Sequence, residues 1–240
     1  MNILITGGAS GLGEAITKAA ALAYPGAIVY FTYHRSEQNA IAIRSEYSNT
    51  RALKCDFKNQ QDIDTICSFI EANDIGILVN NAIAGLSKQY FHKIEKREFV
   101  EGFADNVLPV IAITSSFIAR ARKIKSGKII SILSAAIINS PPTGWSAYVA
   151  EKNYLLTMHR SWALENAAFN ITSNCISPGF MATALNKDTD ERIVEDMIAK
   201  HPLKKLLTPA EVAAVVLFLM DASGHVNGNN IIINSSLSIG

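Results

Sequence analysis

The chain has 240 residues, is 49% apolar, and sets 22 Lys and Arg against 21 Asp and Glu, a formal net charge of +1. That balance offers no electrostatic footprint for nucleic acid or an anionic membrane, and the length suits one large α/β domain over 1–240. Cys55, Cys67 and Cys175 are odd in number and widely spaced, with no Cys-x-x-Cys or Cys/His cluster, so neither a disulfide framework nor a metal site is expected.

The chain opens on a strand-like run at 2–6, with no basic leader before it and no apolar run approaching the roughly 18 residues of a membrane span. A cytosolic protein is the default expectation. Further strand candidates follow at 27–33, 51–55, 76–80, 128–133, 172–177 and 229–234. Between them, apolar residues recur at helical spacing over 12–23, 63–72, 103–118, 148–164 and 209–220. Strand–helix alternation along the whole length predicts a doubly wound parallel sheet of about seven strands, helices on both faces, in a Rossmann-type arrangement. Two irregular stretches, 135–144 and 180–207, would leave the carboxyl edge of that sheet, where ligands bind. They are the expected substrate loop and lid.

The first strand runs into Thr6-Gly7-Gly8-Ala9-Ser10-Gly11-Leu12-Gly13. Glycines there let the backbone turn sharply and approach a phosphate, while the helix that follows offers free N–H groups and the positive end of its dipole. Gly7, Ser10, Gly11, Leu12 and Gly13 are therefore candidate cofactor contacts. Enzymes that use NAD often carry a carboxylate at the end of the second strand; here that place reads Tyr33-His34-Arg35. A guanidinium can hold a 2′-phosphate with two hydrogen bonds, so Arg35 favours NADP(H) over NAD(H). Asp56, beside Phe57, closes the third strand where a carboxylate could accept from an adenine amino group. Asn80, Asn81 and Ala82 close the fourth.

Ser134 ends the fifth strand, and Tyr148 lies fourteen residues beyond it, with Lys152 one helical turn further on. Reduction of a ketone leaves negative charge on oxygen that must be protonated. Tyrosine can supply the proton, an adjacent ammonium would lower its pKa, and a serine hydroxyl can donate to the same oxygen.

These residues, with C-D-F, N-N-A, Asn106-Val107, S-I-L-S, Y-V-A-E-K, S-P-G-F-M-A-T and P-L-K-K-L-L-T-P-A-E-V-A, resemble the short-chain dehydrogenase/reductase family over essentially the full length. Within it, the pattern is closest to the 3-oxoacyl thioester (acyl carrier protein) reductases. The resemblance implies that Tyr148 is the general acid/base, that Ser134 orients the carbonyl, and that Lys152 also binds the nicotinamide ribose. Asn106 would hold a water linking Lys152 to solvent. Thr183, near Pro178 and Gly179, would contact the carboxamide, while Asp56 and Asn80-Asn81-Ala82 line the adenosine half. It also implies hydride transfer on the B face and a homotetramer, or else a homodimer. Ile83 replaces the usual glycine after N-N-A, and Asn234-Ser235-Ser236 replaces an acidic-Gly-Gly turn.

Substrate-facing candidates are Ile137, Ile138, Trp145, Phe180 and Met181, an apolar set that suits a ketone on a hydrophobic chain or ring. Arg120, Arg122, Lys123, Lys125 and Lys128 form a candidate docking surface for an acidic acyl carrier protein, although Phe169 stands where such enzymes often place a further basic residue. The reading is an NADP(H)-dependent ketone reductase. Its alternatives are an NAD-dependent alcohol or sugar dehydrogenase and a non-catalytic dinucleotide-binding module.

Overall fold

A computed structural model describes residues 1–138, 140–181, 183 and 189–237. Seven strands, β1 (Asn2–Ile5), β2 (Val29–Tyr33), β3 (Thr50–Lys54), β4 (Ile75–Asn80), β5 (Gly127–Ile132), β6 (Ile171–Pro178) and β7 (Asn230–Ile233), form one sheet. Their order is β3-β2-β1-β4-β5-β6-β7, and every pairing is parallel. Each expected strand is present within one or two residues of its predicted bounds.

Alternation along the strands divides the core in two. On one face Ile3, Ile5, Val79 and Ile130 meet α1 (Gly11–Ala23), α2 (Glu37–Glu46) and α8 (Pro209–Asp221). On the other, Leu4, Leu78, Ile129 and Cys175 meet α3 (Gln60–Ala72), α5 (Leu108–Ile124) and α6 (Ser146–Asn166). A period of two in the strands thus feeds both helical layers, which is why the strands read as unbroken apolar runs. The three cysteines are free, Cys55 and Cys175 buried and Cys67 half-buried.

Helix boundaries depart from the sequence reading in three places. The helix expected over 103–118 is two, α4 (Lys96–Asn106) and α5, broken at Val107. Pro109 sits in the first turn of α5, where a missing N–H costs nothing. The combined stretch Lys96–Ile124 has the length and composition of a membrane span, an exception to the absence expected from the sequence. Its apolar face holds Val110, Ile113, Phe117 and Ala121, all packed in the second core. The sequence reading also lacked α2, which buries only Ala40 and Ile43, and α7 (Glu191–Lys200), which starts inside the stretch taken as irregular. Asp190 caps α7, its carboxylate accepting from the Arg192 N–H at 2.8 Å. Asn139, Ala182 and residues 184–188 of the two expected loops lie outside the described residues.

The order of the strands reverses between β1 and β4, with β2 to one side and β5 to the other. A crevice therefore opens beyond the carboxyl ends of β1 and β4. Behind it, α8 packs along α1 and depends on its own start. The Thr208 hydroxyl accepts from the Glu211 N–H at 3.3 Å, and the Glu211 carboxylate accepts from the Thr208 N–H at 2.8 Å. Thr208→Ala removes one arm of this box, and we expect a loss of about 1 kcal/mol of stability, read as a lower denaturant midpoint at unchanged slope.

Candidate active site

Thr6 and Asn81 hold the glycine turn against the end of β4. The Thr6 hydroxyl accepts from the N–H groups of Asn81 (2.9 Å) and Ala82 (3.1 Å). The Asn81 amide donates to the carbonyls of Thr6 (3.0 Å) and Gly7 (3.1 Å). From β2, the Thr32 hydroxyl accepts from the Gly7 N–H at 2.9 Å. Gly7 and Gly11 adopt φ of +65° and +53°, and a Cβ on Gly13 would lie 2.0 Å from the Gly7 carbonyl oxygen. Glycine is required there, since no side chain fits. Ser10 precedes α1, but its hydroxyl satisfies none of the first-turn N–H groups, so these and the positive end of the helix face the crevice. The turn fits a dinucleotide pyrophosphate.

Other expected cofactor contacts separate into two groups. Thr183 reaches the turn, its Cβ lying 3.5 Å from where a Gly11 side chain would begin, and Gly179 is anchored by its N–H to the Ile233 carbonyl at 2.8 Å. Arg35 is exposed beyond β2 and makes no ion pair among the described residues. Asp56 is partly engaged already, one oxygen accepting from the Lys58 N–H at 3.0 Å and the other 3.4 Å from His34 Nε2. Leu12 and Phe57 belong to the core, so their side chains are structural. The Asn80 amide donates to the Thr114 hydroxyl of α5 at 3.0 Å.

The four chemical residues converge from three elements: Asn106 ends α4, Ser134 follows β5, and Tyr148 and Lys152 lie on α6. The Ser134 hydroxyl and the Tyr148 phenol share a hydrogen bond, and the Ser134 oxygen also accepts from the Ala136 N–H at 3.2 Å. Burial pushes the Tyr148 phenol above its ordinary pKa, with Ser134 opposing in part. The lowering expected from Lys152 is not seen. That ammonium lies 5.8 Å from the Tyr148 ring centroid and donates to the Ile132 carbonyl at 3.0 Å instead. Burial in turn brings Lys152 down to about 8, and the neighbouring Glu151 charge works against that fall. Glu151 is a residue that sequence reasoning missed. Its carboxylate accepts from the Asn106 amide at 3.0 Å, while the Asn106 oxygen accepts from the Ala84 N–H at 2.9 Å.

Among the apolar candidates, Trp145 is edge-on to Tyr148, ring centroids 5.3 Å apart. Ile137 packs against the second core and Met181 against the first, and Ile138 is half-buried just beyond the short helical turn after Ser134. Phe180 lines a different space, an apolar cavity of about 260 Å³ between α7 and the end of β7. The apolar set is therefore divided between two places. In the basic segment Arg122, Lys123 and Lys125 are exposed, and three of the five cations also make contacts within the chain. Arg120 donates to Asp74 (2.7 Å) and to the Ile75 carbonyl (2.9 Å). Arg122 donates to Asn166 (2.7 Å) and stacks 4.6 Å over the Phe169 ring, and Lys128 bonds the Ala222 carbonyl.

Comparison with known proteins agrees with this geometry. Residues 7–237 match the family model described as enoyl-(acyl carrier protein) reductase. The chain is 32% identical to the 3-oxoacyl-[acyl-carrier-protein] reductase FabG of Thermotoga maritima, covering 98% of this chain and 97% of that one. It is 30% identical to the 2,3-dihydro-2,3-dihydroxybenzoate dehydrogenase of Bacillus subtilis, covering 98% and 95%. A solved structure, described as a putative NAD(P) dependent gluconate 5-dehydrogenase from Beutenbergia cavernae with NADP bound at low occupancy, superimposes with a TM-score of 0.88. It is 23% identical, covers 98% of this chain and 95% of its own, and shows the shared fold. With a glycine cradle at the switch point, a serine-bonded buried tyrosine and a lysine on the same helix, the chain belongs to the short-chain dehydrogenase/reductase family of NAD(P)-dependent oxidoreductases.

Proposed function

We propose that the protein reduces a ketone, a 3-oxoacyl thioester or another apolar carbonyl, to a secondary alcohol with NADP(H) as the partner. The observation that carries this reading is the buried Tyr148 phenol, hydrogen-bonded by Ser134 and placed one turn from Lys152. A bound dihydronicotinamide supplies the hydride. The residues of the chain handle the oxygen. Burial keeps the Tyr148 phenol protonated at neutral pH, so it can donate as negative charge develops on the substrate oxygen. The Ser134 hydroxyl can turn from Tyr148 to the same oxygen, and the Lys152 ammonium supports phenolate once the proton has left. Trp145 covers Tyr148 and offers an apolar wall to the substrate.

The thioester would be free, carried by coenzyme A or carried by an acidic carrier protein. Arg120 is neutralised by Asp74 and Lys128 is half-buried, while Arg122, Lys123 and Lys125 stay exposed in the basic segment. For the cofactor, Arg35 is exposed at the end of β2 and makes no ion pair among the described residues, and no carboxylate stands at 33–35 to repel a 2′-phosphate.

Acetoacetyl-CoA and several simple ketones, each with NADPH and with NADH, test the activity by cofactor oxidation. Tyr148→Phe should lower turnover at least about 10²-fold while NADPH affinity, followed by fluorescence, is kept; retained turnover would remove the phenol from its role. Arg35→Ala should weaken NADPH binding more than NADH binding, and equal losses would contradict the 2′-phosphate contact.

A further inference from the structure

Glu151 directly precedes Lys152, yet its side chain serves a different element. Its carboxylate takes the amide N–H of Asn106 at 3.0 Å. The same amide nitrogen lies 3.2 Å from the exposed Gly85 carbonyl oxygen, which marks the way to solvent. On α4 the facing residue is Gly102, where a Cβ would come 2.5 Å from the Glu151 Oε1. The helix is thus bare where the carboxyl needs room.

Glu151, Lys152 and Asn106 line one small cavity of about 10 Å³, enough for a single water. From β4 and β5 it meets Asn80, Ser131 and Ile132, none of them titratable. Asn80 Oδ1 and Ser131 Oγ are buried there without a hydrogen-bond partner among the described residues. This space, sized for one water, sets those two polar atoms, the ammonium and the carboxylate beside apolar Ala82, Ile83, Val110 and Leu155. A water there can bridge the ammonium and the carboxylate, which form no direct ion pair among the described residues. The other charged group facing Glu151 is Asp105 of α4, itself paired with Lys58 at 2.9 Å. Around Lys152 the remaining titratable neighbours are His159 and Cys175, both held uncharged by burial.

We infer that Glu151 is the proton-exchange partner of Lys152, a positioning and proton-relaying residue beyond the Asn106-held water that the family resemblance implies. The inference rests on the reductase reading for its purpose. When Lys152 has given up a proton toward Tyr148, a proton from solvent on the Gly85 side reaches the Glu151 carboxylate and passes on through the bridging water to the lysine. The lysine returns to ammonium and the glutamate to carboxylate. Burial raises the Glu151 carboxyl, while the Asn106 amide and the Lys152 ammonium draw it back, so it can take the proton up and give it away again.

The test is carbon NMR of the full-length protein labelled at the glutamate carboxyl carbons, with Glu151→Gln identifying the resonance. The Glu151 carboxyl should titrate above the ordinary value of about 4.3, and higher still in Lys152→Met, where the stabilising ammonium is gone. A midpoint in the ordinary range, or one that Lys152→Met leaves unmoved, overturns the pairing. If Glu151→Gln fails to fold, the comparison of native protein with Lys152→Met decides alone, since either one glutamate resonance moves or none does.

A second arm follows turnover of acetoacetyl-CoA with NADPH against pH. In Glu151→Gln the loss of the neighbouring negative charge should move the alkaline limb to lower pH by about one unit, with the KM for NADPH kept. An unchanged limb would leave Glu151 a structural residue. Absence of ketone turnover by the native protein, with the coupled titration present, would sink the reductase reading and leave the Glu151–Lys152 pair standing.

Discussion

The hydroxyl of Thr6 holds the site together. It accepts from the first two N–H groups beyond β4, and the Asn81 side chain returns the favour by bonding the two carbonyls at the end of β1. These four bonds fasten the adjacent strands at the point where the strand order reverses. Parallel strands supply no such fastening themselves, because their ladder stops where the strands stop. Everything downstream inherits its position from this clasp: the tight glycine turn, the exposed start of α1, and the Ala82–Ala84 backbone that receives Asn106.

A second constraint is burial on α6. The helix carries a phenol, a carboxyl and an ammonium into a layer otherwise filled by Leu155 and Trp162. Desolvation dominates all three, raising Tyr148 and Glu151 and lowering Lys152. Each is pushed toward its uncharged form, and opposite charge or a hydrogen bond restores part of the balance. The groups are therefore drawn toward neutrality from both sides, which is the arrangement that lets protons pass among them at modest cost.

Much of this was legible in the sequence for a physical reason. The strands, the glycine turn and the Ser134–Tyr148–Lys152 spacing are written in short-range periodicity, and short-range rules decide them. Where side chains from distant segments meet, the same rules say little. Asn106 and Glu151 are 45 residues apart and touch only because α4 packs on α6. Phe57 follows a polar residue at a strand end, so it read as a ligand contact, but the sheet turns it into the core. Arg120 looked like a free cation until Asp74 was placed beside it. The start of α7 was readable from Asp190, but the polar run before it masked the signal.

The Arg122–Phe169 stack and its neighbours bear on kinetics. Attraction of an anionic partner over several ångströms depends on cations whose fields are not already answered within the protein, and dissolved salt shortens that reach to about 8 Å at physiological strength. Arg120 is matched by the Asp74 carboxylate, but Arg122 meets only a ring, an amide and a carbonyl and keeps its full charge beside the exposed Lys123 and Lys125. Any anion drawn to this face from a distance would therefore be drawn less as salt is added.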